Sequence, residues 1–207
     1  SQHVKESFLL HQYPENRIFV NPYGVDLSMF KPLPNIPKKY DVIMVGGWGY
    51  EKGCDLIVEA IRKTNYSFIH VGSIKDVDFP QEKNFTHIDP VDQSKLIEYY
   101  NQAKVFILPS RQDGFGMVLS QALACNLPII GSNNCGAPDL KKMVELPEYI
   151  TIIKDYTADA IVTAIHTAIK NYEQLGERIY AGNAIENLTW EAYGKRYANF
   201  LHKKIQQ

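Results

Sequence analysis

Pro109-Ser110-Arg111-Gln112-Asp113-Gly114-Phe115-Gly116-Met117-Val118 opens the stretch PSRQDGFGMVLSQALACNLPIIGS, residues 109–132. It follows the apolar run Val105 to Leu108, which predicts a short buried strand ended by Pro109. A polar, glycine-bearing loop comes next, then a predicted helix from about Phe115 to Cys125, then a strand from Pro128 to Ile130. Strand, glycine loop, helix, strand is the repeating unit of a parallel sheet. Backbone N–H groups around Gly114 to Met117 would be free at the helix start and could hold a diphosphate. Gln121 lies about one turn further in, within reach of sugar hydroxyls. Asp113 can accept hydrogen bonds from a ligand or cap the helix.

The same alternation extends in both directions. Strands are predicted at 41–45, 67–71, 84–88 and 149–153, and helices at 54–63, 93–103 and 137–144. The C-terminal part is helical, with one stripe of Ala158, Ile161, Val162, Ile165 and Ile169. A second stripe, Trp190, Tyr193, Tyr197, Phe200 and Leu201, follows Thr189 as N-cap and is expected to be packing. Continuous apolar strands among amphipathic helices imply an α/β fold, a Rossmann-like doubly wound parallel sheet with helices on both faces. Ligands of such sheets bind beyond the carboxyl ends of the strands, so the loops after residues 45, 72, 89 and 109 should line the site.

Upstream, residues 3–12 read as a short helix and Ile18-Phe19-Val20 as a short strand. Four prolines and Gly24 between Pro22 and Pro37 mark a connector. The expected division is therefore 1–37, the end of a preceding domain with its hinge, and 38–207, a Rossmann-like domain with C-terminal helices. The chain opens on Ser1 rather than Met, as expected of a piece of a longer protein.

The second loop of interest is Gly46-Gly47-Trp48-Gly49-Tyr50-Glu51-Lys52-Gly53, between a strand and a helix. Glycines let backbone approach a ligand, the helix start favours an anion, and Lys52 adds a mobile cation. No Gly-Lys-Ser/Thr closes the loop as in a P-loop, and Lys52 stands where a dinucleotide fingerprint needs its third glycine. Cys135-Gly136-Ala137-Pro138-Asp139-Leu140 reads by itself as an ordinary helix start.

Charge narrows the partners. Lys plus Arg number 22 against 23 Asp plus Glu, a net charge of −1, so nothing draws the chain to nucleic acid. No apolar run approaches the ~20 residues of a membrane span. Cys54, Cys125 and Cys135 are odd in number and lack CxxC spacing, which argues against a disulfide framework or zinc site and for a reducing, cytoplasmic setting. His70 and His87 are expected to be core or edge residues rather than metal ligands.

Together these segments resemble the C-terminal, donor-binding domain of a retaining GT-B glycosyltransferase of group 1, or family 4. That family's loop pattern Gly-Arg-Leu-x-x-Glu-Lys-Gly is met here by residues 46–53, its signature PSxxEGFGLVxxEAMACGxPVIAS by residues 109–132, and its GGxPEL by residues 135–140. Val25-Asp26 and Phe30-Lys31-Pro32 resemble its hinge.

The resemblance implies a hexosyl transfer from a nucleotide diphosphate sugar to a glycan, lipid or small acceptor, with retention. It also implies no cofactor and no required metal. Lys52 matches the lysine on the donor diphosphate, and Asp113 and Gln121 match the two glutamates of Glu-x7-Glu. Lys52 and Asp113 are thus the catalytic candidates. Gly46, Gly47, Ser73, Ile88, Arg111, Gly114, Phe115, Gly116, Met117, Val118 and Gln121 join them as donor-binding candidates. Ser73 and Ile88 are expected near the base.

Three departures stand out. Gly47 replaces an arginine, Asp113 a longer glutamate, and Gln121 a charged one. Arg111 is the expected substitute for the arginine. The implied partners are the nucleotide sugar and an absent N-terminal acceptor domain, with peripheral membrane association of the full-length protein compatible with the family. The isolated domain should then bind donor and transfer little. The rival readings are a degenerate, non-catalytic sugar-nucleotide-binding or interaction module, and a different Rossmann-like enzyme such as a GT-B-type sugar epimerase or a dehydrogenase. The failed glycine fingerprint argues against the dehydrogenase.

Overall fold

The apolar runs pair side by side because each is too hydrophobic to face water on either side. In the computed structural model, which describes residues 1–176 and 178–206, they are β1 (Tyr40–Val45), β2 (Phe68–Val71), β3 (Phe85–Ile88), β4 (Ala103–Leu108), β5 (Ile129–Ser132) and β6 (Ile150–Ile153). All pair in parallel, in the order β3-β2-β1-β4-β5-β6. Val42, Ile43, Val105, Phe106, Ile129 and Ile130 are wholly buried, as central strands covered on both faces must be. The expected Rossmann-like sheet is present.

The helices are α1 (Gln2–Leu10), α2 (Cys54–Lys63), α3 (Gln93–Gln102), α4 (Met117–Ala124), α5 (Ala137–Lys141), α6 (Ala158–Leu175) and α7 (Trp190–Ile205). The chain moves along the sheet one way after β1 and the other way after β3. Right-handed crossovers therefore place α2 on one face and α3, α4 and α5 on the other. α6 packs on α2 and buries Ile161, Ile165 and Ile169 of its predicted stripe. Val162 is only partly covered.

Some boundaries move for identifiable reasons. α4 begins at Met117 rather than Phe115, because Gly116 takes a left-handed φ of 77° and Phe115 is anchored in the core. α5 stops at Lys141, short of the predicted Val144. Ile18-Phe19-Val20 forms no strand among the described residues, since no sheet edge adjoins it. Phe19 instead stacks on Phe200 of α7 at 4.2 Å.

The α7 stripe packs differently from expectation. No residue of α7 is buried in the core, and Trp190 stays 45% exposed. Its aromatics are met by residues 19–23 instead. Arg196 ties this contact by donating to the Asn21 side chain at 2.7 Å and to the Pro22 carbonyl at 2.9 Å. Thr189 caps α7 as predicted, its hydroxyl accepting from Ala192 N–H at 3.1 Å. Val25 and Phe30 of the connector belong to the same buried apolar cluster as the sheet.

Candidate functional site

The sheet order reverses at β1, with β2 and β3 on one side and β4, β5 and β6 on the other. The loops leaving β1 and β4 diverge there and open a crevice at the carboxyl ends of the strands. These are the two glycine-bearing loops singled out in the sequence, residues 46–53 and 109–116.

The two loops hold each other. Arg111 N–H donates to the Glu51 carbonyl at 2.8 Å. Gly53, at a φ of 74°, lies so close to Pro109 that a Cβ would stand 2.4 Å from its carbonyl oxygen. The Arg111 guanidinium makes two bonds to the Asp55 carboxylate, at 2.6 and 2.8 Å, and one to the Tyr50 carbonyl at 2.6 Å. It also lies 3.7 Å over the Tyr50 ring. Arg111 was expected to replace the arginine absent at position 47. In the structure its guanidinium pairs with Asp55 and braces the two loops, and Arg111 is not among the residues that line the crevice.

Lys52 and Asp113 do meet. The ammonium lies 2.7 Å from Asp113 Oδ2, with both side chains largely shielded from solvent. Asp113 Oδ1 accepts from Phe115 N–H at 3.2 Å, so the carboxylate also shapes its own loop. It does not cap α4. That helix starts on Gly116 and no side chain caps it, which leaves its first amides open. Nothing stands within 4 Å of where a Cβ of Gly114 would be.

Asn134, which sequence reasoning missed, clamps this loop. Its carbonyl accepts from Asp113 N–H at 2.9 Å and its side-chain amide donates to the Arg111 carbonyl at 2.9 Å. The residue 135–140 motif adds a second clamp. Gly136 N–H donates to the Phe115 carbonyl at 2.7 Å, an approach that a side chain at position 136 would block.

The crevice has a volume of about 760 Å³. Gly46, Lys52, Asp113, Gly114, Phe115, Gly116, Met117 and Val118 line it together, and Phe8, Phe19, Tyr23 and Tyr197 form an apolar wall opposite. Gln121 faces a smaller adjoining cavity of about 190 Å³ with Gln93 and Trp190, and Met117 borders both. The Gln121 carbonyl oxygen accepts from the buried Tyr100 hydroxyl at 2.9 Å, leaving its amide group for a ligand.

Three other expected residues stand off the crevice. Ser73 lies two residues beyond β2 and Ile88 ends β3, and their carbonyls accept from Trp48 and Gly72 N–H respectively. Gly47 does not line the crevice, and the Lys75 side chain lies across it, with Cε 2.5 Å from where a Cβ would be. Lys75 is thus a cation beside the loop that no spacing in the sequence announced. Burial pushes the Cys54 thiol, at the start of α2, up to about 12, so it is no thiolate nucleophile near neutral pH.

Residues 27–184 match the family model for glycosyl transferases group 1. The chain belongs to that family. It is 25% identical over 215 residues to a probable sucrose-phosphate synthase of Thermosipho melanesiensis, an alignment covering 93% of this chain and 49% of that protein. The chain thus spans about half the length of that curated relative. Among solved structures, the fold matches Anabaena HepE in complex with UDP at a TM-score of 0.79 and 16% identity, over 98% of this chain and 62% of that one. It also matches the C-terminal domain of the group 1 family protein LpcC of Francisella tularensis, at a TM-score of 0.64 and 21% identity. That match covers 79% of this chain and 95% of the solved domain. The likeness agrees with the expected GT-B relationship and with a C-terminal domain.

Proposed function

We propose that this chain is the donor-binding half of a glycosyltransferase that moves a hexosyl group from a nucleotide diphosphate sugar to a glycan, lipid or small acceptor, with retention at the anomeric carbon. The observation that carries this reading is the meeting of Lys52 with Asp113 at the sheet's switch point, beside the open backbone of Gly114 and the uncapped start of α4. A diphosphate entering there would take over the Lys52 ammonium and accept from backbone N–H groups. It would do so without the full desolvation of a buried cation cluster. Stabilising the departing nucleoside diphosphate in this way acts on the transition state, which is what accelerates transfer.

The reading includes three finer parts. Gln121 presents its amide to the ribose, Asp113 faces the donor sugar, and no metal is needed. Half a relative's length is expected to carry half its cleft, so the isolated domain should bind donor and transfer little or nothing, and the acceptor domain is the missing partner. Cytoplasmic placement, with peripheral membrane association of the full-length protein, belongs to the same reading. No helix among the described residues is long and apolar enough to cross a membrane.

One observation favours a second reading, a non-catalytic sugar-nucleotide module. Arg111 is committed to Asp55, and no arginine stands at position 47 to share the leaving-group charge with Lys52. Calorimetric titration with UDP, GDP and ADP, with and without magnesium, tests the first reading. One nucleotide should bind selectively, independently of magnesium, and more weakly to Lys52→Ala. Turnover by the full-length protein then separates the two readings.

A further inference from the structure

The Gly46–Gly47 peptide is held from behind. The Gly46 carbonyl oxygen lies 2.8 Å from His70 Nε2, on β2. A carbonyl only accepts, so His70 carries its hydrogen on Nε2. Burial pushes His70 down to about 4, so the ring is neutral near pH 7 and its Nδ1 is a bare acceptor. His87, the register partner of His70 on β3, meets that acceptor with its own Nδ1 at 3.0 Å. The Asp89 carboxylate lies 3.3 Å from His87 Nε2, a contact that is a hydrogen bond only when His87 carries a hydrogen on both ring nitrogens. The remaining ring neighbours are uncharged, with Trp48 against His70 and Phe79 at 4.1 Å from His87. Only one tautomer of His70 satisfies both of its contacts.

The consequence falls on the crevice loop. Gly46 N–H donates to the Val71 carbonyl at 3.0 Å and Trp48 N–H to the Ser73 carbonyl at 2.7 Å, both at the β2 end. Between them, Gly47 N–H makes no hydrogen bond among the described residues. In a trans peptide, C=O and N–H point in opposite directions. A Gly46 carbonyl turned onto His70 therefore turns the Gly47 N–H away from His70. Gly46 reaches this geometry with a φ of 127°, and Gly72 leaves room, since a Cβ there would stand 1.9 Å from the Gly46 oxygen.

We propose that His70 is a positioning residue of the crevice: its Nε2–H pins the carbonyl of Gly46, which lines the crevice, and so sets the course of the 46–47 backbone that the diphosphate of a nucleotide meets. The proposal rests on the donor-site reading above. His87 acts one step further out, fixing the His70 tautomer by donating to its Nδ1.

The test combines nitrogen-15 spectra of the histidine rings, the Gly47 amide signal, and calorimetric titration with UDP, GDP and ADP. The whole chain is compared with His70→Phe, His70→Gln and His87→Phe. In the wild-type chain His70 should be the Nε2–H tautomer at pH 7. His70→Phe keeps a ring but loses the donor. It should shift the Gly47 amide and weaken the bound nucleotide at least fivefold. Gln reaches about as far as Nε2, so His70→Gln should restore both. His87→Phe leaves His70 in place, so it reports even if His70→Phe fails to fold; it should mix the His70 tautomers and weaken binding by a smaller factor. An Nδ1–H tautomer of His70 in the wild-type chain overturns the proposal. So does a glutamine variant no better than phenylalanine, or affinities equal across all four proteins. If the wild-type chain binds none of the three nucleotides, the donor-site reading falls and the role of the pinned Gly46 carbonyl in nucleotide binding with it. The tautomer and amide signals show in that case whether the loop geometry itself is right.

Discussion

The Lys52 ammonium and the Asp113 carboxylate lie 2.7 Å apart, although 61 residues separate them in the chain. Each comes from a different glycine-bearing loop, so the contact marks where the two halves of the sheet's crevice close. It also sets the charge that an incoming anion meets. Lys52 lines the crevice, as does Lys5 of α1, and Asp113 partly neutralises Lys52.

Replacing Lys52 with Ala removes that cation. The dissociation constant of the preferred nucleoside diphosphate should rise roughly tenfold or more, about 1.4 kcal/mol or above. Asp113→Asn keeps an oxygen for Phe115 N–H but frees the ammonium. Nucleoside diphosphate should then bind roughly threefold tighter. Calorimetry on both variants decides, and opposite signs are required.

Arg111→Ala should act on stability rather than on binding. It deletes a two-bond ion pair with Asp55, a bond to the Tyr50 carbonyl and a ring contact. The expected loss is about 2 kcal/mol. For a chain of this size that lowers the melting temperature by roughly 4–8 °C. Nucleotide affinity should stay within about threefold. A large loss of affinity with unchanged melting would instead place the guanidinium on the ligand.

Two glycines should answer differently to alanine. A Cβ at Gly72 would stand 1.9 Å from the Gly46 oxygen, on a residue whose φ is 151°. Gly72→Ala should therefore cost about 3 kcal/mol or more in chemical denaturation. Gly114 faces open space, and Gly114→Ala should change stability by no more than about 0.5 kcal/mol. Equal costs at the two sites would contradict the packing described.

Stability should fall in mild acid through His70. Unfolded, this histidine takes up a proton below about pH 6.5; folded, it does so only below about 4. Between those values the unfolded chain binds more protons, so stability decreases as pH drops through the window. The full effect is roughly 3 kcal/mol, present at pH 7 and gone by about pH 4. Urea midpoints measured from pH 7 to pH 4.5 should show it, and His70→Gln should flatten that part of the curve.

Much of the fold was legible because its signals are local. α2 spans Cys54–Lys63 as predicted, since its apolar residues recur on one helical face and a glycine precedes it. The strands are short apolar runs, β1, β2 and β4 closed directly by glycine or proline, and all six begin and end within two residues of the positions read from sequence. β5, predicted to end at Ile130, runs on through Gly131 and Ser132, because its register with β6 continues to Ile153. Ile18-Phe19-Val20 had a strand's composition but no neighbouring edge to pair with, and so became a ring contact for α7.

The site divides the same way. By itself the sequence determined that two glycine loops follow parallel strands, that Lys52 and Asp113 lie in them, and that a helix begins just beyond Gly116. Those are matters of backbone preference and spacing, which neighbours in the chain decide. Only the tertiary structure decided which charges face the crevice. It paired Arg111 with Asp55, laid Lys75 across Gly47, and put the Gln121 carbonyl on Tyr100. It also aligned His70 with the Gly46 carbonyl across two strands. A long polar side chain takes the partner that best satisfies it, and that partner comes from whichever distant segment the sheet order brings within reach.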